Sequence, residues 1–367
     1  MIKKITVLGT RGIPDVLGGV ETHCQNLYPA IKARHPELEI CVIARSPYVD
    51  YRRSEYRGVQ TKAIWAPKKK SLEAIVHSLL AALSCRFDGS DVVHVHAIGP
   101  GLVVPLLRLM GKKVVFTHHG PDYDRQKWGR LARTALVLGE RLAVKYASEV
   151  IVISEVINRL IQNKYRRMDA HLIYNGVNPP VTLDEQQVQQ TLGQFGLVAG
   201  GYIVAVGRFV EEKGFHDLIN AWRASGVTLP LVLVGDADHA TPYSEKLRQQ
   251  AADNGVILTG FLRGAALQAV FSRARLFVMP SYHEGLPIAL LEAMSWSLPV
   301  VVSDIPANLE VGLDPQVYFP TGHVDSLAEQ LTRWSQAGHV DYSRYLQRYD
   351  WDTIAARTLQ VYQQTQS

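Results

Sequence analysis

Short apolar runs alternate with longer amphipathic stretches along most of the chain. Residues 5–8, 40–43, 92–95, 114–116 and 150–153 read as buried strands, and several of the stretches between them carry apolar residues at helical spacing. This alternation predicts a parallel sheet with helical crossovers. It is interrupted at residues 175–183, where Asn-Gly and Pro-Pro break the pattern. It then resumes with strand-like runs at 203–206, 231–234, 256–258, 276–279 and 300–302. Residues 351–362 read as a final helix. The expectation is an α/β chain of two domains, residues 1–178 and 179–348, followed by a terminal helical segment, 349–367. No short-period repeat or low-complexity tail modifies it.

Composition agrees with two soluble domains. A chain of 367 residues exceeds the usual size of one core, and 47% hydrophobic residues suffice for two buried sheets. Cys24, Cys41 and Cys85 are odd in number and lack metal-ligand spacing, which points to a reducing compartment and packing roles. The apolar run after Lys4 ends at Gly9, too short for a secretion leader. Pro105 and Arg108 interrupt residues 102–110, leaving no membrane span, so a cytoplasmic protein is expected.

Charge adds a division. The net +5 is the balance of +12 over residues 1–180 and −7 over residues 181–367. The basic half suits anionic lipid or a lipid-linked diphosphate. Nucleic acid is disfavoured because the clusters at Arg52, Arg53 and Arg57, at Lys68 to Lys70 and at residues 125–133 lack interleaved aromatic platforms. Leu72, Ile75, Val76, Leu79, Leu80 and Leu83 form an apolar stripe directly after the lysines. Core packing is the commoner explanation of such a stripe, and an interfacial helix is the alternative.

The most informative segment is 280–294, Pro-Ser-Tyr-His-Glu-Gly-Leu-Pro-Ile-Ala-Leu-Leu-Glu-Ala-Met, a strand-to-helix turn framed by Glu284 and Glu292. Pro287 suits the first helical position, and the amides before it can meet an anion. Glu292 would lie roughly 7.5 Å along the helix, a separation suited to holding two parts of one ligand rather than to acid and base work across one bond. Carboxylates accept from sugar hydroxyls but repel phosphate, so an anionic ligand needs cations elsewhere. Arg208 and Lys213, in the segment 207–214 after the strand 203–206, supply them.

Other polar residues sit at predicted strand ends. Gly9, Gly12, Gly18 and Gly19 do not have the dinucleotide spacing, and Arg45 stands where an acidic ribose ligand would be needed. His118 and His119 end the strand that begins at Val114, at the carboxyl edge where open α/β sheets place ligands. His94 and His96 alternate onto one strand face, as packing or hydrogen-bonding residues.

The paired glutamates, with Arg208 and Lys213, resemble the motifs of the retaining glycosyltransferases of family four, which have the GT-B fold. The resemblance extends to Gly9-Thr10-Arg11-Gly12-Ile13-Pro14, to Gly18-Gly19-Val20-Glu21 and to His119-Gly120 with residues 122–128, which are similar to a rhamnosyltransferase-like subgroup. Ser154, Asn175-Gly176-Val177 and Asp350-Trp351 follow in the same order.

The resemblance implies two Rossmann-like domains with parallel sheets facing a central cleft, the first binding the acceptor, the second a nucleotide diphosphate sugar, and the last helix crossing back to the first. It implies that Arg208 and Lys213 bind the diphosphate, Glu284 the transferred sugar and Glu292 the ribose, with Gly19, Gly207, Gly285 and Leu286 also at the donor. His119 would contact the donor sugar as the family's active-site histidine, while His118 would be structural. Glu21, Asp122, Tyr123, Arg125 and Trp128 would serve the acceptor, a glycan or polyprenyl-diphosphate-linked glycan.

No metal or other cofactor is expected. Asp236-Ala237-Asp238 copies a metal-binding pattern of another glycosyltransferase fold but follows a strand in the second domain, and Pro287 occupies the position where a zinc-protease motif beginning His283-Glu284 needs histidine. The implied reaction is transfer of a hexose or deoxyhexose with retention, in the synthesis of O-antigen, capsule or exopolysaccharide at the inner membrane face. The alternative is a nucleotide-sugar epimerase on the same architecture.

Overall fold

The computed structural model describes residues 2–16, 18–67, 70–121, 130–237 and 240–366, with residues 70–72 and 131 described in backbone only. Asp122, Tyr123, Arg125, Lys127 and Trp128 of the expected acceptor loop, with Lys68, Lys69 and Asp238, lie outside the described residues. The chain divides into two units, Met1–Gly176 with Arg348–Ser367, and Val177–Gln347.

The first unit is built on eight strands: β1 (Lys4–Leu8), β2 (Glu39–Arg45), β3 (Arg53–Tyr56), β4 (Val59–Ile64), β5 (Val92–His96), β6 (Lys113–His118), β7 (Glu149–Val152) and β8 (His171–Leu172). They lie in the order β3-β4-β2-β1-β5-β6-β7-β8. All neighbours are parallel except β3 and β4. The apolar runs predict the central strands but not β3, β4 or β8. β3 reads Arg-Ser-Glu-Tyr, with none of its residues buried, and β8 has two residues, so neither carries a hydrophobic signature. β4 buries only Val59 and Thr61.

Helices α1 (Gly19–Arg34), α2 (Lys70–Cys85), α3 (Val104–Leu109), α4 (Arg130–Tyr146) and α5 (Glu155–Tyr165) cover the sheet. One face packs against Ala81, Ala82, Leu107, Ala143, Val144, Ile157 and Ile161. The other packs against Cys24, Leu27, Tyr28 and Ile31 of α1, and against Ile354, Ala355, Leu359, Val361 and Tyr362 of the terminal helix Trp351–Gln364. That helix begins with Asp350 accepting from the Thr353 amide at 2.8 Å. Its Trp351 lies against Gly176, where a Cβ would come within 2.4 Å of the indole.

α2 reverses the core-packing expectation for its apolar stripe. Its buried face consists of Glu73, His77, Ser78, Ala81, Ala82 and Cys85, whereas Ile75, Leu79, Leu80 and Leu83 are 36–47% exposed. The inward stripe is held by polar bonds: Glu73 accepts from Arg45 at 2.8 Å and Tyr48 at 3.0 Å, and His77 Nε2 donates to the Ala44 carbonyl at 3.0 Å. Small side chains let the helix approach the sheet, and the leucines are left outside.

The second unit contains α6 (Glu185–Gln194), β9 (Ile203–Val206), α7 (Phe215–Ser225), β10 (Leu231–Val234), α8 (Pro242–Asp253), β11 (Ile257–Leu258), α9 (Gly264–Ser272), β12 (Leu276–Met279), α10 (Ile288–Ser295), β13 (Val300–Ser303), α11 (Pro306–Leu309), β14 (Tyr318–Phe319) and α12 (Val324–Trp334). Its strands lie in the order β11-β10-β9-β12-β13-β14, all parallel. This is the doubly wound order in which direction reverses between the first and fourth strands of the set. The strands are nearly continuous apolar runs because helices cover both faces. One face forms a core with Phe209, Phe215, Leu218, Ile219, Leu247 and Leu331.

Ile354, 1% exposed in the terminal-helix layer, tests whether that layer is core to the first unit. Ile354→Ala is expected to cost about 2–5 kcal/mol in urea unfolding. A loss below about 0.5 kcal/mol would mark the helix as an accessory.

Candidate functional site

In the second unit the predicted residues gather at the carboxyl ends of β9 and β12, the adjacent strands at which the sheet reverses its winding. Gly207 and the exposed Arg208 follow β9, and the chain then forms a 3₁₀ turn, Glu211–Lys213, ending at Gly214. Gly214 has φ +67°, and a Cβ there would lie 2.2 Å from the Pro280 carbonyl oxygen after β12. Only glycine allows this approach. The Tyr282 amide closes it by donating to the Glu212 carbonyl at 2.8 Å.

As a result Lys213 Nζ meets Glu284 Oε1 at 2.6 Å, and Ser281 Oγ donates to the same oxygen at 2.6 Å. Residues 71 positions apart thus share one ion pair, with side chains 19% and 9% exposed. Gly235 makes a second close approach: a Cβ there would lie 2.0 Å from the Gly207 carbonyl oxygen.

Pro287 is the N-cap of α10 rather than its first helical residue, so the helix begins one position later than predicted, at Ile288, whose amide turns back to the Leu286 carbonyl at 2.9 Å. The cap has no side-chain hydrogen bond, so the positive end of α10 is not neutralised by its own N-cap. Gly285 borders open space, with nothing within 4 Å of a hypothetical Cβ, and Leu286 is half-buried. Glu292, in the second turn of α10, retains some exposed surface, yet burial of its carboxyl raises the pKa to about 7. Asp236 accepts from the Ala237 amide at 2.8 Å and pairs with Arg248, so its carboxylate already has partners.

The first unit places a different set at the carboxyl ends of β1, β5 and β6. Glu21 is buried and takes a forked grip from Arg11, Nε to Oε1 at 3.2 Å and Nη2 to Oε2 at 3.1 Å, with the Arg11 amide at 2.9 Å. Gly18, at φ +148°, makes room for this pair, since a Cβ would come within 2.0 Å of Glu21 Oε2. Glu21 therefore shapes the glycine loop, and its oxygens are largely committed before any acceptor arrives. Gly19 has open space beside it, whereas Gly12, at φ +144°, is packed against Val49.

The adjacent histidines separate as their positions require. His118 is fully buried; the Gly120 amide donates to its Nδ1 at 3.0 Å, which leaves Nε2 to donate to Glu140 at 2.8 Å. Burial alone would raise the Glu140 pKa, but bonds from His118, Lys164 and Tyr165 hold it near 2. His119 is half-buried, and its Nε2 meets His96 Nδ1 at 2.9 Å. His96 Nε2 in turn meets the Tyr28 hydroxyl at 2.5 Å, and His94 bonds Tyr28, Tyr362 and Thr117 at 3.0, 2.7 and 2.7 Å. Burial holds His94, His96 and His119 well below the usual histidine range.

His23 completes the group, with its ring centroid 5.0 Å from that of His119 and 5.5 Å from that of His96. Ligand atoms of His23, His96 and His119 lie within 4.8 Å of one another. Sequence reading missed His23, Tyr28, Tyr362 and Glu140. No spacing rule joins a residue of α1 to one near the chain's last helix. Glu140 did leave a trace: it is a lone carboxylate within the largely apolar helical run 135–144.

Glu292 makes stability depend on pH. Its folded pKa, about 7, lies above the ordinary 4.5. The folded state therefore holds the extra proton between these values, and stability falls as pH rises through that window. Glu292→Gln is expected to match the wild type below pH 4.5 and to gain up to about 3 kcal/mol above pH 7. Parallel melting curves across pH 4–8 that coincide throughout would contradict this.

Comparison with known proteins agrees with this geometry. Residues 17–180 match the family model Glycosyltransferase Family 4, and residues 200–336 match Glycosyl transferases group 1. Alpha-maltose-1-phosphate synthase of Mycolicibacterium smegmatis is 27% identical over 75% of this chain and 79% of its own. Sucrose-phosphate synthase from Thermosynechococcus elongatus superposes with a TM-score of 0.76 at 21% identity, covering 99% of this chain and 98% of that one. Anabaena HepE, solved in complex with UDP, has the same TM-score at 20% identity, covering 99% and 100%. These matches disfavour the epimerase alternative. With family models over most of its length and a fold shared with GT-B enzymes of solved structure, the chain belongs to the family 4 glycosyltransferases.

Proposed function

We propose that the protein is a retaining, metal-independent glycosyltransferase that moves a hexose or deoxyhexose from a nucleotide diphosphate sugar to a glycan acceptor in cell-surface polysaccharide synthesis. The Lys213–Glu284 pair at adjacent strand ends is the observation that carries this reading. A donor presents its diphosphate to the ammonium of Lys213 and to Arg208, and its sugar hydroxyls to the carboxylate of Glu284. In the pair these groups hold one another ready, so binding exchanges one charge-assisted bond for two. HepE, of similar fold, is solved in complex with UDP, which supports a nucleotide donor.

Charge develops on the departing phosphate oxygen as the glycosidic bond breaks. Arg208, Lys213 and the positive end of α10 stabilise it, an electrostatic role fixed before reaction. These cations do the work of a metal ion at the diphosphate. Glu292 holds the ribose hydroxyls, and its high pKa lets the carboxyl either donate or accept. Glu284, tied to Lys213 and Ser281, suits holding a hydroxyl better than nucleophilic attack. Retention then follows from same-face attack, with the leaving phosphate taking the acceptor proton. His119 and Gly19 are read as donor contacts, and Glu21, Asp122, Tyr123, Arg125 and Trp128 as acceptor contacts.

The acceptor is read as a polyprenyl-diphosphate-linked glycan, reached by docking of the basic first unit on the cytoplasmic membrane face. Among the described residues no helix is long and apolar enough to cross a membrane. The exposed leucines of α2 and Phe87, 86% exposed beneath Arg86, support shallow insertion beside cationic residues.

Incubation with labelled UDP-, GDP- and dTDP-sugars, membrane extract and excess EDTA tests the reading. Lys213→Ala and Glu284→Ala should each lower turnover by about 10²–10³-fold with unchanged circular dichroism. Near-normal rates in both, or an inverted anomeric configuration by NMR, would refute it. The double substitution Leu79→Ser/Leu83→Ser should lose several-fold of its binding to phosphatidylglycerol vesicles without a lower Tm. Equal co-sedimentation would remove the membrane from the proposal.

A further inference from the structure

The histidine group of the first unit has chemistry that sugar transfer does not use. His23 comes from α1, His96 ends β5 and His119 directly follows β6, so regular elements fix all three. Two of the rings are buried, and the half-buried His119 leads outward to Gly120, beside which lies open space. His23 Nδ1 is buried, its polar neighbour is the Asn175 side chain, and neither Nδ1 nor Asn175 Oδ1 reaches a partner in full hydrogen-bonding geometry. Such an atom is costly to leave unsatisfied, and a ligand that met it would recover the loss.

We propose that His23, His96 and His119 form a site for a divalent first-row transition ion, zinc or its neighbours nickel and copper, and that its occupancy blocks sugar transfer. Imidazole nitrogens suit these ions, whereas calcium and magnesium require oxygen. Nitrogens bound to tetrahedral zinc stand roughly 3.3 Å apart, given a metal–nitrogen distance of about 2.0–2.1 Å. The candidate atoms lie within 4.8 Å of one another, and His96 Nδ1 and His119 Nε2 are already 2.9 Å apart. Small ring rotations therefore seat the ion, which takes the place of the proton shared by His96 and His119.

The outer partner is also present. His96 Nε2 meets the Tyr28 hydroxyl at 2.5 Å, the kind of bond that orients a ligating ring. The blocking effect rests on the reading of His119 as a donor contact, because a ring bound to metal cannot also meet the sugar. The metal site itself does not depend on that reading.

Titration of metal-stripped full-length protein with zinc chloride, followed by calorimetry, should show one equivalent bound with micromolar affinity. X-ray absorption on the loaded wild type should report three imidazole nitrogens. His23→Phe should abolish binding and render transfer insensitive to zinc while leaving turnover in EDTA unchanged. Tyr28→Phe should weaken binding by about tenfold or more. No zinc bound by the wild type, fewer than three imidazoles at the metal, or undiminished binding by folded His23→Phe overturns the site. Saturable binding with unaltered transfer upholds the site and removes His119 from the donor reading.

Discussion

The donor half of the site depends on one steric constraint, the passage of the Gly214 backbone against the Pro280 carbonyl. Two strands that are neighbours only because the sheet reverses there send their following loops into contact, and a side chain at position 214 would force those loops apart. The contact delivers Lys213 to Glu284 at 2.6 Å. A part-buried pair of this kind contributes little net stability, because desolvation offsets most of its attraction. What it provides is geometry: a cation and an anion held at fixed places at the sheet's carboxyl end.

The first unit solves a different problem. His94, His96 and His119 and two tyrosines lie at or beneath the ends of its central strands, joined through ring nitrogens and hydroxyls rather than by full charges, with the His23 ring packed against them. Neutral groups can be buried in numbers if each finds a partner, and nearly all of these do. A separate charged network, Glu140 with His118, Lys164 and Tyr165, holds the backbone amide of Gly120 through His118. The two networks meet at consecutive residues, one fixing the backbone and the other the ring of His119.

Much of this was legible in the sequence where burial writes a simple pattern. Ile-Val-Ala-Val and Leu-Val-Leu-Val can only be strands covered on both faces. The motif around Glu284 announced itself by carboxylates, glycine and proline in a strand-to-helix turn. Edge strands such as Arg-Ser-Glu-Tyr stayed invisible because no residue of that strand is buried, so there is no inward face to write an alternation. The α2 stripe misled because periodicity gives the spacing of a face without its direction, and here small and polar residues bonded to Arg45 and Ala44 won the interior. His23 and Tyr362 escaped notice because only the fold brings them together.

The terminal helix has a consequence for how the protein is made. The sheet whose strands span residues 4–172 receives Ile354, Leu359 and Tyr362 as part of its cover. On the ribosome, that apolar surface must therefore wait, exposed, while the whole of residues 177–347 is translated. The nascent first unit is a natural client for a chaperone, because its sheet can form early but its core is closed only by the last helix.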